Sequence, residues 1–215
     1  MIKVEGIELE YFGSVSLEVK QGSVCKVITK SDSMKNMLMD IILGLKKPAV
    51  GRVFLLGKDI YSISEKEYIK LFRMVGVVSE DGSMVSNLKI WENIVLPLWY
   101  HNRSLPADIE DRVINITAGM GIETSYLREL AGRLPGPVPD QVKRLMGLTR
   151  TMLMEPDLMI YGSIFEGMAQ KTAERLISMT ARFHAGKPGR TSVYITSDPL
   201  SVAGIEADQT LEIGR

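Results

Sequence analysis

SVCKVITKSDSMKNMLMDIILGL, residues 23–45, decides the fold. Ser23 to Thr29 is a short, largely apolar run suited to a buried strand. It leads directly into Ser33 to Leu45, where Met34, Met37, Leu38, Ile41, Ile42 and Leu45 recur at the spacing that places them on one helix face. Pro48 closes the helical region, and Gly51 to Gly57 returns to strand character. Strand, tight loop, helix and strand in that order is the grammar of a βαβ unit, and so of a three-layer α/β protein.

The alternation continues on both sides. Upstream, Lys3 to Tyr11 and Val15 to Val19 alternate with period two around Gly13, which predicts an N-terminal antiparallel β region. Downstream, Ser64 to Phe72 predicts a helix and Met74 to Val78 a buried strand. The pattern from Asn87 to Glu129 is mostly helical, with breaks expected at Pro97 and at the polar segment 101–104. After the Pro- and Gly-rich RLPGPVPD, Arg133 to Asp140, a further helix is expected over Gln141 to Met154, so that a helical lobe spans about 87–150. Leu158 to Tyr161, Ser192 to Thr196 and Gln209 to Ile213 read as strands, and Thr172 to His184 as a helix. No repeat, linker or low-complexity tract interrupts residues 1–215, which read as one domain with two lobes.

Net charge is balanced, which leaves a local basic patch open. With 26 basic and 26 acidic residues, nothing global draws the chain to nucleic acid. Cys25 is the only cysteine, so no internal disulfide forms, and no CxxC or His cluster suggests a metal. A reducing, cytoplasmic setting is expected. The opening MIKVEGIELEY has no apolar signal-peptide core, and no run reaches the roughly 18 apolar residues of a membrane span. Attachment to a membrane is therefore expected only through a partner.

Five segments in order resemble the ATP-binding subunits of ABC transporters. They are GLKKPAVGRVFLLGKDI at Gly44 to Ile60, the stretch from VGVVSED through NLKIWENIVLPL at Gly76 to Leu98, MEPDLMIY at Met154 to Tyr161, ITSDP at Ile195 to Pro199, and ADQTLEIGR at Ala207 to Arg215. The resemblance covers essentially the whole chain and implies a P-loop NTPase-like, three-layer α/β core. It also implies a partner, either an integral membrane permease or a second ABC-type subunit in a homo- or heterodimer.

The resemblance fails at the motifs that carry chemistry. A phosphate loop works because glycines let backbone N–H groups turn inward at a helix N-terminus, while a lysine neutralises the phosphates and a hydroxyl ligates magnesium. Here that place is held by TKSDSMKNM, Thr29 to Met37. Lys35 keeps the lysine's place, and Ser31 and Ser33 lie beside it. Thr29, Asp32 and Met34 stand at the glycine places, and Asn36 and Met37 at the hydroxyl places. A side-chain-bearing residue forced to positive φ loses about 1–2 kcal/mol, so a changed loop shape and poor Mg-ATP affinity are expected. Lys35 reads either as a surface lysine at a helix start or as a remnant anion site. Lys30 reads as solvated.

By the same resemblance, Glu80 replaces the glutamine that contacts magnesium, and Gly162-Ser163 ends the strand where the family has Asp then Glu. Ser197 stands for the switch histidine and Ala169 for the D-loop aspartate. The signature falls on Val138-Pro139-Asp140-Gln141-Val142. Glu166, three residues too late for the catalytic base, reads as a solvated loop residue. Tyr11 stands near the family's adenine-stacking aromatic, and equally reads as a strand-end tyrosine packed on the lobe. No catalytic residue, required cofactor or metal site is expected. Because paired family members hold each ATP between one chain's Walker motifs and the other's signature, a chain that lacks both halves is not rescued by pairing.

The membrane-facing region keeps more of the family's character. Asp81, Met84, Leu88, Trp91, Asn93 and Leu98 occupy the region that receives a permease helix, and aromatic and Met side chains are good anchors for one. Trp91 and Leu98 equally read as core of the lobe. Three functions follow: a catalytically inactive scaffold or regulator on a permease or ABC partner, a sensor that binds nucleotide or another phosphate ligand through Lys35 without turnover, and, least favoured, a true transport ATPase.

Overall fold

The period-two runs at the N-terminus pair as an antiparallel sheet, and the continuous apolar runs become the strands of a parallel one. The computed structural model describes residues 1–102 and 105–214. The first sheet contains β1 (Ile2–Leu9), β2 (Gly13–Val19), β4 (Arg52–Leu55) and the short β5 (Lys58–Asp59), in the order β2-β1-β4-β5. The second contains β3 (Val24–Thr29), β6 (Val75–Val78), β7 (Leu158–Gly162), β8 (Thr191–Thr196) and β9 (Gln209–Ile213), in the order β6-β7-β8-β3-β9, every pair parallel. The helices are α1 (Asp32–Ile42), α2 (Glu65–Phe72), α3 (Ile90–Asn102), α4 (Ile109–Gly119), α5 (Thr124–Ala131), α6 (Asp140–Leu153) and α7 (Gln170–Ala185).

The three layers follow from strand geometry. β7 and β8 are buried at every residue, as parallel strands covered on both faces must be. Alternate side chains serve different layers. Leu158, Ile160, Val193 and Ile195 join the core built with α1 and the antiparallel sheet. Met159, Tyr161 and Tyr194 join a second core with Ile90, Ile94, Val113 and Met146 of the helical lobe. Tyr161 and Tyr194 stack with their ring centroids 4.5 Å apart.

Three expectations need correction. The first helix ends at Ile42, and Leu45 is 73% exposed rather than on the buried face. Gly44 (φ +70) turns the chain out of the helix first. Pro97 does not break the helix but lies inside α3. Ile94, Val95 and Leu98 around it are buried, and their packing offsets the backbone bond a mid-helix proline forfeits. The expected break at 101–104 begins within the helix, and its remainder, Arg103 and Ser104, lies outside the described residues, as does Arg215 of the closing segment. Among the described residues, no helix is long and apolar enough to cross a membrane.

Candidate functional site

β3, β8, β7 and β6 run parallel, so the loops leaving their C-terminal ends gather along one sheet edge, where α/β proteins bind ligands. Those loops bring Asp32 and Lys35, Glu80, Ser163 and Glu166, and Thr196 and Ser197 together.

The segment after β3 is not a wrapped phosphate loop. Only Lys30 and Ser31 separate the end of β3 from the start of α1. Ser31 is extended (φ −159, ψ 162), and its Oγ accepts the Met34 N–H at 3.3 Å, capping the helix. Thr29 to Met37 contains no positive φ. The expected strain at Thr29, Asp32 and Met34 is therefore avoided, because the helix begins before the lysine. Met34 is wholly buried in the core, which fixes that register.

Lys35 is not a surface lysine. It is 2% exposed, and its ammonium lies 2.9 Å from Asp32 Oδ1, donates to Glu80 Oε2 at 3.1 Å and donates to Ser163 Oγ at 2.8 Å. Burial works to lower its pKa, but bonding to Asp32 and Glu80 outweighs it and holds the ammonium above its usual value. The Asp32 carboxyl is held below its usual value, first by Lys35 and then by Ser197, whose Oγ donates to Asp32 Oδ1 at 2.7 Å.

Glu166 is not a solvated loop residue either. Its Oε1 accepts from Ser163 Oγ at 2.6 Å and from the Thr196 hydroxyl, so it faces the site beside Lys35. Ser163 is 3% exposed at φ +49, an unfavourable backbone for a non-glycine residue, and its hydroxyl bridges lysine and glutamate. Sequence spacing missed Glu166, Ser163 and Thr196 because it compared places with a motif. A lysine in the first turn of a buried helix, with Asp32 three residues before it, was the available signal.

The other expected site residues scatter. Asn36 lines a cleft of about 370 Å³ with Lys35, Met39, Asp40, Glu80 and Gly162. Met37 points instead into a separate hollow beside Glu8, Glu10 and Ile41. Ser33 is exposed on the first turn of α1. Tyr11 is 91% exposed at φ +70 on the β1–β2 turn, so it does not pack on the helical lobe.

Two of the docking residues are corrected by burial. Asn93 is fully buried: its Oδ1 accepts the Val85 N–H at 2.7 Å, and its Nδ2 donates to the carbonyls of Val85, Leu88 and Lys89. It clips the loop before α3 to that helix. Leu98 is buried in the lobe core. Met84 and Trp91 pack against that core while staying half-exposed, Leu88 is half-exposed, and Asp81 is exposed. The Asp81 carboxylate accepts from Ser79 and from the Ser83 N–H; partial desolvation by the surrounding loop pushes its pKa up even though the residue is exposed, but these bonds bring it below the usual value.

The family model for ABC transporters matches residues 12–161. The chain belongs to the ABC transporter family. Methionine import ATP-binding protein MetN of Rhizobium meliloti is 27% identical over 195 residues, covering 91% of this chain and 52% of that protein. Intermembrane phospholipid transport system ATP-binding protein MlaF of Haemophilus influenzae is 23% identical over 194 residues, covering 90% of this chain and 71% of that one. The chain thus spans about half the length of its methionine-import relative. The dimeric ABC transporter cassette MJ0796 shares the fold at a TM-score of 0.82, with 20% identity over 100% of this chain and 97% of that one.

At the phosphate-loop place of this ABC-type chain, the polar groups are engaged within the chain itself. A triphosphate needs inward-facing amides, a free cation and hard oxygen ligands for its metal. Here Ser31 takes one of the first-turn amides, Lys35 is bonded to the chain's own groups, and Met37 faces elsewhere.

Proposed function

We propose that this ABC-type chain does not turn over ATP and acts as a scaffold or regulator on a membrane permease or an ABC partner subunit, held at the cytoplasmic face through that partner. The observation that carries the reading is the engagement of Lys35. Phosphoryl transfer works by positioning and neutralising a polyphosphate, and the cation in place for that task is held by Asp32, Glu80 and Ser163. Glu166, a carboxylate just after β7, has its Oε1 already engaged by the hydroxyls of Ser163 and Thr196.

Pairing does not supply what is missing. A partner's phosphate-binding half would meet residues 138–142, where Val138 is buried, Pro139 has no N–H and Gln141 Nε2 donates to the Gly167 carbonyl at 2.8 Å. The half-exposed side chains of Met84, Leu88 and Trp91 remain for docking a permease helix.

The chain is expected to co-purify from native membranes with an integral membrane protein. Trp91→Phe, which keeps most of the packing, is expected to weaken that association without lowering the unfolding midpoint. Mg-ATP turnover that survives repurification would overturn the reading. Saturable calorimetric heat with Mg-ATP that vanishes in Lys35→Ala would replace it with the nucleotide-sensor reading.

A further inference from the structure

The ion cluster around Lys35 is joined mechanically to the helical lobe. The connection runs through Arg144, on α6. Its Nε donates to the Glu80 carbonyl at 2.7 Å, and its Nη1 donates to the carbonyls of Ile164 at 3.1 Å and Glu166 at 2.7 Å. One guanidinium from the lobe therefore holds the backbones of the two loops whose side chains meet Lys35. The fit is tight: a Cβ on Gly147 of α6 would lie 2.5 Å from the Gly82 carbonyl oxygen, and one on Gly82 would lie 2.3 Å from the Lys143 carbonyl oxygen. Arg150, farther along α6, donates to the carbonyls of Gly82 and Ser83. A displacement of the loop at 79–83 must therefore move α6, and the reverse.

On the sheet side, the cluster ties the ends of four strands. Asp32 and Lys35 follow β3, Glu80 follows β6, Ser163 and Glu166 follow β7, Thr196 ends β8 and Ser197 follows it. The direct bonds run from Lys35 to Asp32, Glu80 and Ser163, from Ser163 and Thr196 to Glu166, and from Ser197 to Asp32. Ser163 stays in its unfavourable backbone conformation between two of these bonds, as expected where surrounding contacts over-determine a loop.

We propose that Lys35, with Asp32, Glu80 and Glu166, is an internal latch that fixes the helical lobe on the sheet edge through Arg144, so that lobe position is set by the chain's own charges and not by a ligand. A subunit latched in this way presents one fixed docking face to its partner. The latch extends the reading of a non-hydrolysing subunit, and its test is run without nucleotide so that the two stand or fall separately.

The test is amide hydrogen exchange on the full chain. Lys35→Met removes the ammonium and leaves the carboxylates facing one another. Exchange is expected to rise about ten- to a hundredfold at 79–83, 163–168, 196–198 and the N-terminal half of α6, with the sheet strands unchanged. Lys35→Arg is expected to restore most of the protection. Thr196→Val keeps the side chain's shape and removes its hydroxyl, so it reads the latch even if Lys35→Met does not fold; exchange should rise at 163–168 and, through Arg144, in the first turns of α6. Changes confined to α1 in Lys35→Met, or to 196–198 in Thr196→Val, would overturn the proposal.

Discussion

If Lys35 is withheld from anions by its own neighbours, removing those neighbours should create an anion site. The perturbation is the double variant Asp32→Asn, Glu80→Gln, which keeps the size of both side chains and cancels both charges. Each ion pair joins a lysine 2% exposed to a carboxylate that is not buried, with side-chain exposures of 65% for Asp32 and 52% for Glu80. Screening by water at the carboxylates limits each pair to about 0.5–1 kcal/mol. An arriving phosphate must displace this attraction and also approach two like charges, at a cost of about 0.5 kcal/mol each at water-like dielectric. Together these terms amount to about 2–3 kcal/mol, or roughly a 30- to 150-fold gain in anion affinity.

The assay is isothermal titration with tripolyphosphate at low ionic strength, repeated at physiological salt, where the gain should shrink. Lys35→Ala in the double-variant background should abolish the gain. The reasoning is refuted if the double variant binds within about threefold of the wild-type chain, or if the gain survives without Lys35.

Three further outcomes are expected. Asn93→Ala removes the one accepted bond and the two N–H donors of a fully buried amide and should cost about 2–4 kcal/mol in urea unfolding at unchanged m value, whereas a docking role alone would leave the midpoint in place. Burial pushes the Cys25 thiol up to about 11, so a thiol-specific reagent at neutral pH should label one site only after unfolding, and fast labelling of the folded chain would contradict its place in the core. Asp32 and Asp81 have lowered folded pKa values, so their stabilisation is present above the usual aspartate range and lost as pH falls through the folded values. Lys35 is raised, so its stabilisation is lost only as pH rises through its folded value. The unfolding midpoint should therefore fall below about pH 4 and at strongly alkaline pH, and the acid loss should be smaller in Asp32→Asn.

The sheets and most helices were legible in the sequence because burial writes a period into it. β9 was expected at Gln209–Ile213 and is found there, and β7 and β8 were expected to within one residue. The misses came where one contact overrides the period. Leu45 continues the helical spacing on paper, but Gly44 has already ended the helix. Pro97 reads as a break, but buried neighbours carry the helix through it. β5 is two residues long and carries no period at all. The site was less legible because its partners lie far apart in the chain: Lys35 meets Glu80 and Ser163 across 45 and 128 positions. The motif places name Asp32, Glu80, Ser163 and Ser197 as replacements, but not the bonds among them that engage Lys35.

Those partners bear on how this fold tolerates substitution at its loop ends. The core contributions come from apolar positions such as Ile160, Val193 and Met146, none of which lies at the loop ends where catalysis would occur. Substitution at the loop ends therefore removes little packing, but it leaves one electrostatic problem, a lysine ammonium buried by its helix register. An unpaired buried ammonium is costly. Asp32 at the glycine place and Glu80 at the glutamine place both bring negative charge to that ammonium, and Ser163 at the glutamate place brings a hydroxyl acceptor. The residues at the glycine, glutamine and glutamate places are thus the ones that stabilise Lys35 within the chain. Lys35 and its partners should therefore change as a set, and restoring a glycine or a glutamine singly should lower stability before it restores any binding.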